Sequence, residues 1–281
     1  MRQIDPPSID PGQSVITGGT RLYAILGDPI HQVGSPRVFN PIMARNKVDA
    51  VLVPMRVAPA DLGLAVAGLK AIGNLDGLIV TIPHKMAMMA LVDEVSPTGR
   101  LVGAINAARR EKDGRWVADM FDGRGCVRAL KDQGGEIAGR SALLVGAGGG
   151  GSAVACALAE AGVRRLTVCD IDLAKAERLA RVVADAFPDV TAAVGPPAGR
   201  GENPKGYDLL VNCTPMGMKP ADPPPIDLDA LAPSMTVVDI VLGPDPTPLL
   251  AAATTRGCQT VSGRRMLEGQ AMEVARFFGF G

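Results

Sequence analysis

The sequence reads as an α/β protein in two domains, and three observations carry that reading. Strand-like and helix-like stretches alternate in two separate series, one before and one after about residue 141. Such alternation builds largely parallel sheets covered by helices. A glycine-rich run from Gly146 to Gly151 joins a strand to a helix at the start of the second series. The 281 residues, 47% of them hydrophobic, suffice to bury two cores of ordinary size.

Residues 1–19 are rich in Pro, Gly and Asp and predict a loose arm. Residues 22–26 form a strand that stops at Gly27-Asp28-Pro29. Ser35-Pro36 then opens a helix, with serine as N-cap and proline in the first helical position. Residues 51–57 predict a strand, 60–72 an amphipathic helix and 78–82 a buried strand that Pro83 ends. A Met-rich helix is expected from about Lys85, and 104–109 with 115–120 form a strand pair about Lys112-Asp113-Gly114. In the second series, 142–145 is a strand, 152–161 a helix, 166–169 a strand and 174–187 a helix. Residues 209–213 and 236–241 are further strands, separated by a Pro-rich loop that begins at 219–225. Residues 248–256 and 264–280 close the chain as helices.

Composition removes several functions. The 29 basic and 29 acidic residues cancel, so the chain lacks the positive footprint of a nucleic-acid binder or a polybasic membrane-surface protein. Two histidines exclude a His-rich metal site, and no metal centre is expected. Acid–base chemistry therefore falls to Lys, Asp or Glu. The five cysteines (Cys126, Cys156, Cys169, Cys213 and Cys258) form no CxxC pair and are odd in number, which predicts a reducing compartment. The first residues carry no apolar signal-peptide core, and no uncharged apolar run reaches the roughly 18 residues that span a bilayer. The expectation is a soluble, cytoplasmic protein.

The glycine run is the strongest local motif. Gly146, Gly148 and Gly151 satisfy G-x-G-x-x-G between a strand and a helix. The first glycine permits a tight turn, the second a close approach of backbone to pyrophosphate, and the third close helix–strand packing. The helix N-terminus adds free N–H groups and a positive dipole end. This predicts a Rossmann dinucleotide-binding domain. Asp170 closes the next strand about 20 residues on. A carboxylate there would accept from a ribose 2′-OH and repel a 2′-phosphate, and Ile171, Asp172 and Leu173 supply no cation. NAD is therefore expected over NADP.

Thr81-Ile82-Pro83-His84-Lys85 places a lysine at the carboxyl end of a strand, where ligands of open α/β sheets gather. This segment lies in chain order with Gly27-Asp28-Pro29-Ile30, Ser35-Pro36, Gly103-Ala104-Ile105-Asn106 and Asp119-Met120-Phe121-Asp122-Gly123. The glycine loop, the run from Asn212 to Met218, and Gly269-Gln270 follow. Together they closely resemble the shikimate/quinate dehydrogenase family over about residues 20–281. The resemblance implies an α/β substrate domain at 1–123 plus 263–281, the last helix packing back onto it, and a Rossmann domain at 124–262. It implies oxidation of a ring hydroxyl to a ketone, with Lys85 and Asp122 as the catalytic pair. The chemistry fits independently, because hydride loss from a carbinol needs a group that takes the hydroxyl proton. By the same resemblance Ser35, Thr81, Asn106 and Gln270 contact substrate, and Val33 and Leu242 stand at substrate positions. Gly146, Ala147, Gly148, Gly149, Gly150, Gly151, Asp170, Asn212, Thr214, Met218, Val241 and Gly263 are implied for the dinucleotide. His31 and His84 receive no function.

Departures from the family pattern share a direction. Val33 replaces the first of two serines, Ile79 an asparagine, Met120-Phe121 an Asn-Thr pair and Leu242 a tyrosine. Each lost polar partner weakens binding of a polar substituent by about 1–3 kcal/mol. The expectation is a less polar pocket that handles shikimate or quinate poorly or prefers a related hydroxy-cyclohexane carboxylate. The alternative is a catalytically weak dinucleotide-binding sensor; another Rossmann reductase fits the Lys85 and Asp122 contexts less well. The expected partners are one small substrate and one dinucleotide, on a monomer or homodimer.

Overall fold

The computed structural model describes residues 16–197, 203–219, 221–243 and 246–280. Most of the predicted arm lies outside the described residues. Residues 16–19 form an exposed turn, anchored where Thr20 Oγ1 donates to Asp49 Oδ1 at 2.8 Å.

The first half contains β1 (Arg21–Gly27), α1 (Ser35–Arg45), β2 (Ala50–Arg56), α2 (Leu62–Lys70), β3 (Leu75–Val80), β4 (Glu94–Val95), α3 (Pro97–Val102), β5 (Ala107–Arg110) and β6 (Trp116–Asp119). They form a six-stranded sheet in the order β2-β1-β3-β5-β6-β4. β1 runs parallel to β2 and β3, while β5 is antiparallel to β3 and β6. Strand alternation sorts the two faces. Ala24, Leu26, Leu78 and Val80 pack on Leu62, Val66 and Leu69 of α2. Tyr23, Ile25 and Ile79 face the other way, onto Phe39 and Met43 of α1.

The second half contains α4 (Asp122–Asp132), β7 (Ser141–Val145), α5 (Gly149–Glu160), β8 (Arg165–Cys169), α6 (Leu173–Ala186), β9 (Thr191–Val194), β10 (Leu209–Asn212), β11 (Thr236–Asp239), α7 (Pro248–Thr255), β12 (Gln259–Ser262) and α8 (Gly263–Phe278). Its six strands are all parallel, in the order β9-β8-β7-β10-β11-β12. This is the doubly wound order, with its crevice where the winding reverses, between β7 and β10. Helix α8 returns to the first sheet: Leu267, Ala271, Val274 and Ala275 share a buried cluster with Tyr23, Phe39 and Phe121. No helix among the described residues is long and apolar enough to cross a membrane.

Three local expectations are corrected. Ser35 is the first helical residue of α1, preceded by Gly34, and caps nothing with its side chain. The Met-rich segment forms only a short 3-10 turn at Ala87–Leu91. There the Lys85 carbonyl accepts from Ile105 N–H at 3.0 Å, and Met89 N–H donates to Met86 O at 3.3 Å, an i→i−3 bond in place of the α-helical one. Helix α4 is absent from the sequence reading, because Gly123 and Gly125 in its first turns are poor helix formers. Packing decides there: a Cβ on Gly123 would stand 2.2 Å from Ala153 O of α5, and one on Gly125 2.6 Å from Met266 O of α8.

Candidate active site

The carboxyl ends of both sheets open onto one cavity of about 670 Å³. Four chain segments meet in it. Lys85 follows β3, Asn106 precedes β5, Asp122 begins α4 and Gln270 rises from α8. Lys85 Nζ donates to Asp122 Oδ2. The other oxygen, Asp122 Oδ1, accepts from Asn106 Nδ2 at 2.8 Å and from Gln270 Nε2 at 3.3 Å. Asn106 Nδ2 also donates to Gln270 Oε1 at 2.9 Å, and Asn106 Oδ1 accepts from Phe121 N–H at 2.9 Å. The Lys85 side chain is 14% exposed and that of Asp122 5%, so both charges are held largely out of bulk water. The N-terminus of α4 adds a partial positive charge beside the carboxylate.

The other half of the cavity is the glycine loop. Gly146 has φ +103°, and a Cβ there would stand 2.7 Å from the Cys213 carbonyl carbon. A Cβ on Gly151 would stand 1.8 Å from Gly146 O, so the helix presses directly on the turn. Gly148 differs: no protein atom lies within 4 Å of where its Cβ would be. Helix α5 has no side-chain cap, and Gly148, Gly149 and Gly150 face the cavity. That uncapped helix start beside open space fits a dinucleotide pyrophosphate.

The cavity brings together Val33, Ser35, Thr81, Lys85, Asn106, Asp122 and Gln270 with Gly146, Gly148, Gly149, Gly150, Asp170, Thr214, Met218, Val241, Leu242 and Gly263. Ala147, Gly151 and Asn212 lie behind it. Asn212 is fully buried and donates to Asp239 Oδ1 at 2.9 Å and to Met216 O at 3.2 Å, so it shapes the cofactor-side loop. Met120 and Phe121 are also set away from the cavity. Phe121 packs on Phe277 with ring centroids 5.3 Å apart, which makes it a core residue. His84 is buried with its ring Nε2 2.7 Å from Val57 O, a structural contact. Cys213 lines the cavity, and desolvation pushes its thiol well above the ordinary range, which disfavours the thiolate. Sequence reasoning missed the apolar floor of Ile25, Phe39, Leu267 and Val274, and it missed Lys175 near Asp170. The floor residues carry only the signature of ordinary core, while Lys175 was within reach, in the first turn of the helix predicted at 174–187.

A doubly wound parallel sheet, an open glycine cradle and a buried Lys–Asp pair facing it define a dinucleotide-dependent oxidoreductase. Residues 25–108 match the shikimate dehydrogenase substrate binding domain. Residues 129–190, which hold the glycine loop, match the ThiF family. The chain is 39% identical over 262 residues to a shikimate dehydrogenase (NADP(+)) of Symbiobacterium thermophilum, covering 92% of this chain and 88% of that one. It is 40% identical over 256 residues to one of Rhodospirillum rubrum, covering 90% and 89%. A shikimate 5-dehydrogenase of Thermus thermophilus, solved with NADP(H) and shikimate, superposes with a TM-score of 0.81 at 27% identity, covering 92% of this chain and 94% of that one. The chain belongs to the shikimate dehydrogenase family.

The expected preference for NAD over NADP is corrected. The curated relatives are named for NADP(+). The structure supplies a physical reason why Asp170 misleads. Its Oδ2 accepts from Ala147 N–H at 2.6 Å and its Oδ1 from Asp172 N–H at 2.9 Å. At 9% exposure it clamps its own loop. Both of its oxygens are thus already engaged with backbone, which gives the carboxylate a structural use independent of any ribose.

Proposed function

We propose that the chain transfers hydride reversibly between NADP and a secondary ring carbinol of a shikimate-type substrate, with Lys85 and Asp122 as the catalytic pair. The observation that carries this is the buried Lys85–Asp122 pair, held by Asn106 and Gln270 where the two halves of the cavity join. When bound, the nicotinamide supplies the hydride chemistry. The protein handles the proton. As a carbinol becomes a carbonyl, its hydroxyl proton enters at Lys85 Nζ while one of the ammonium protons moves toward Asp122 Oδ2. The two amide donors on Oδ1 fix the carboxylate so that Oδ2 points at Nζ. Ser35 from the start of α1 and Thr81 from just past β3 would present hydroxyls to substrate, and Gln270 completes that wall from α8.

On the cofactor side, Gly146 to Gly150 and the start of α5 would hold the pyrophosphate, with Thr214, Met218, Val241 and Gly263 around the nicotinamide. Lys175 would meet the 2′-phosphate after leaving Asp172, which stands 3.8 Å from its Nζ. We read residues 1–123 plus 263–281 as the substrate domain and 124–262 as the dinucleotide domain, a division supported by the packing of α8 on the first sheet. The test is reduction of NADP+ and NAD+ by the purified chain with shikimate, quinate or the methyl ester of shikimate, read at the reduced-nicotinamide absorbance. Faster reduction of NADP+ is expected; faster reduction of NAD+ would overturn the dinucleotide assignment, and no reduction with any of the three would overturn the redox reading.

A further inference from the structure

The substrate end of the cavity has a charge inventory that bears on what it accepts. Among the described residues lining the cavity, the charged ones are Lys85, Asp122, Asp170 and Lys175. The last two belong to the glycine-loop end, so the substrate end holds only Lys85 and Asp122, already paired with each other. No arginine or histidine is among the described residues that line the cavity. The wall around Ser35 is Ile25, Val33, Phe39, Ile79, Leu267 and Val274, members of one apolar cluster. The start of α1 gives little to an anion. Pro36 has no N–H, and Arg37 N–H donates to Gly34 O at 3.0 Å. That leaves the N–H and hydroxyl of Ser35.

A carboxylate has about four acceptor sites and stays charged in a buried cleft only with a cation or several donors. Here it would meet the N–H and hydroxyl of Ser35 and the hydroxyl of Thr81, with no cation free of a partner, an apolar floor, and an ion pair whose own carboxylate repels it. We propose that this end of the cleft selects an uncharged substrate: a polyhydroxylated ring or ketose whose substituent beside Ser35 and Val33 bears no carboxylate. The inference rests on the reading of the cleft as a carbinol-oxidising site. It assigns Val33 and Ile79 as specificity-determining residues, since they replace hydrogen-bonding groups with hydrocarbon at the points nearest Ser35 and β3.

A matched pair of probes tests this, shikimate and its methyl ester, which differ in one charge and share every ring hydroxyl. Two quantities are measured on the wild-type chain and on Val33→Ser: the dissociation constant of each probe in the presence of NADP+ by calorimetry, and kcat/KM for each by absorbance. The wild type is expected to favour the ester at least about tenfold in both. Val33→Ser should swing the ratio toward the acid by about tenfold. A wild-type preference for the acid, or equal handling of the two, overturns the proposal, and neither result requires the variant to fold. Turnover of neither probe overturns the redox reading instead, and the ratio of dissociation constants then decides the charge preference alone. Binding of neither probe overturns both.

Discussion

Lys85→Met separates the proton chemistry from everything else the cleft does. The lysine stem packs against the glycine loop, because a Cβ on Gly149 would stand 3.1 Å from Lys85 Cβ. Methionine keeps an unbranched stem there and removes only the ammonium. Asp122 is then left buried with Asn106 at 2.8 Å and Gln270 at 3.3 Å as its donors. Breaking one partner out of a buried pair costs about 3–5 kcal/mol, and the surviving amides place this case near the lower end. That corresponds to a melting temperature lower by roughly 6–12 °C. The catalytic loss is expected at about 10²–10⁴ in kcat, the usual contribution of a positioned acid or base. Dinucleotide affinity should change by less than about threefold, since the pyrophosphate cradle is untouched. Asp122→Asn should lose a comparable factor. The double variant should be no slower than either single one, because groups that act as a unit are not additive. It should also recover stability, having no orphaned charge. The assay is steady-state absorbance for kcat, fluorescence titration for NADP+ and a thermal melt. A kcat within about tenfold of wild type, or an additive loss in the double variant, would refute the pairing as the catalytic device.

The remaining expectations concern the cofactor half and the buried acid beside it. Gly148→Ala should leave the melting temperature unchanged, since nothing lies within 4 Å of the added Cβ, yet weaken NADP+ binding by more than about tenfold because it fills the pyrophosphate approach. Gly151→Ala, with its Cβ 1.8 Å from Gly146 O, should lower both melting temperature and binding; the two variants compared by melt and titration separate cradle from scaffold. Lys175→Ala should weaken NADP+ by about tenfold, the loss of one charge-assisted contact, and NAD+ by less than about twofold, read as a ratio of dissociation constants. Burial raises the carboxyl of Asp239 above its ordinary range, although Thr247, Val241 and Asn212 donate to it. A group raised in the folded state contributes stability below its unfolded value and loses it as pH climbs through the folded one. Asp239→Asn should therefore be more stable than wild type at pH 7, with the gap closing as pH falls toward 4; a gap that widens on acidification would contradict the sign.

What the residues reveal depends on whether the deciding force is local. The strand predicted at 22–26 appears as Arg21–Gly27, and the helix at 264–280 as Gly263–Phe278, because apolar periodicity is a property of the segment itself. Helix α4 stays hidden because Gly123 and Gly125 are justified only by α5 and α8, which are distant in sequence. The same division runs through the site. Motif context singles out Lys85, Asn106, Asp122 and Gln270 together, and the structure joins them in one hydrogen-bonded network. The family pattern puts Phe121 at the pocket wall, but it packs in the core instead. Ile25, Phe39, Leu267 and Val274 show the converse error, since periodicity marks a buried face without saying which part of it a cavity exposes.

Asp170 shows how a motif can be present and its usual consequence absent. A carboxylate at the end of the second Rossmann strand has two competing claims on its oxygens, a ribose hydroxyl and the N–H groups of the loop beneath it. A loop made almost wholly of glycine has no side chains with which to satisfy itself, so in this chain Ala147 and Asp172 take both oxygens. Asp172 is engaged as well: it caps α6 by accepting from Ala174 N–H at 3.1 Å and lies 3.8 Å from Lys175 Nζ. Neither acid is thus a free negative charge facing the ribose. Lys175, which follows them on α6, is the one side chain of the three with a flexible stem to turn toward a 2′-phosphate. Counting signs along 170–175 gives two negatives and one positive; counting contacts shows both negatives already engaged with the backbone beside them.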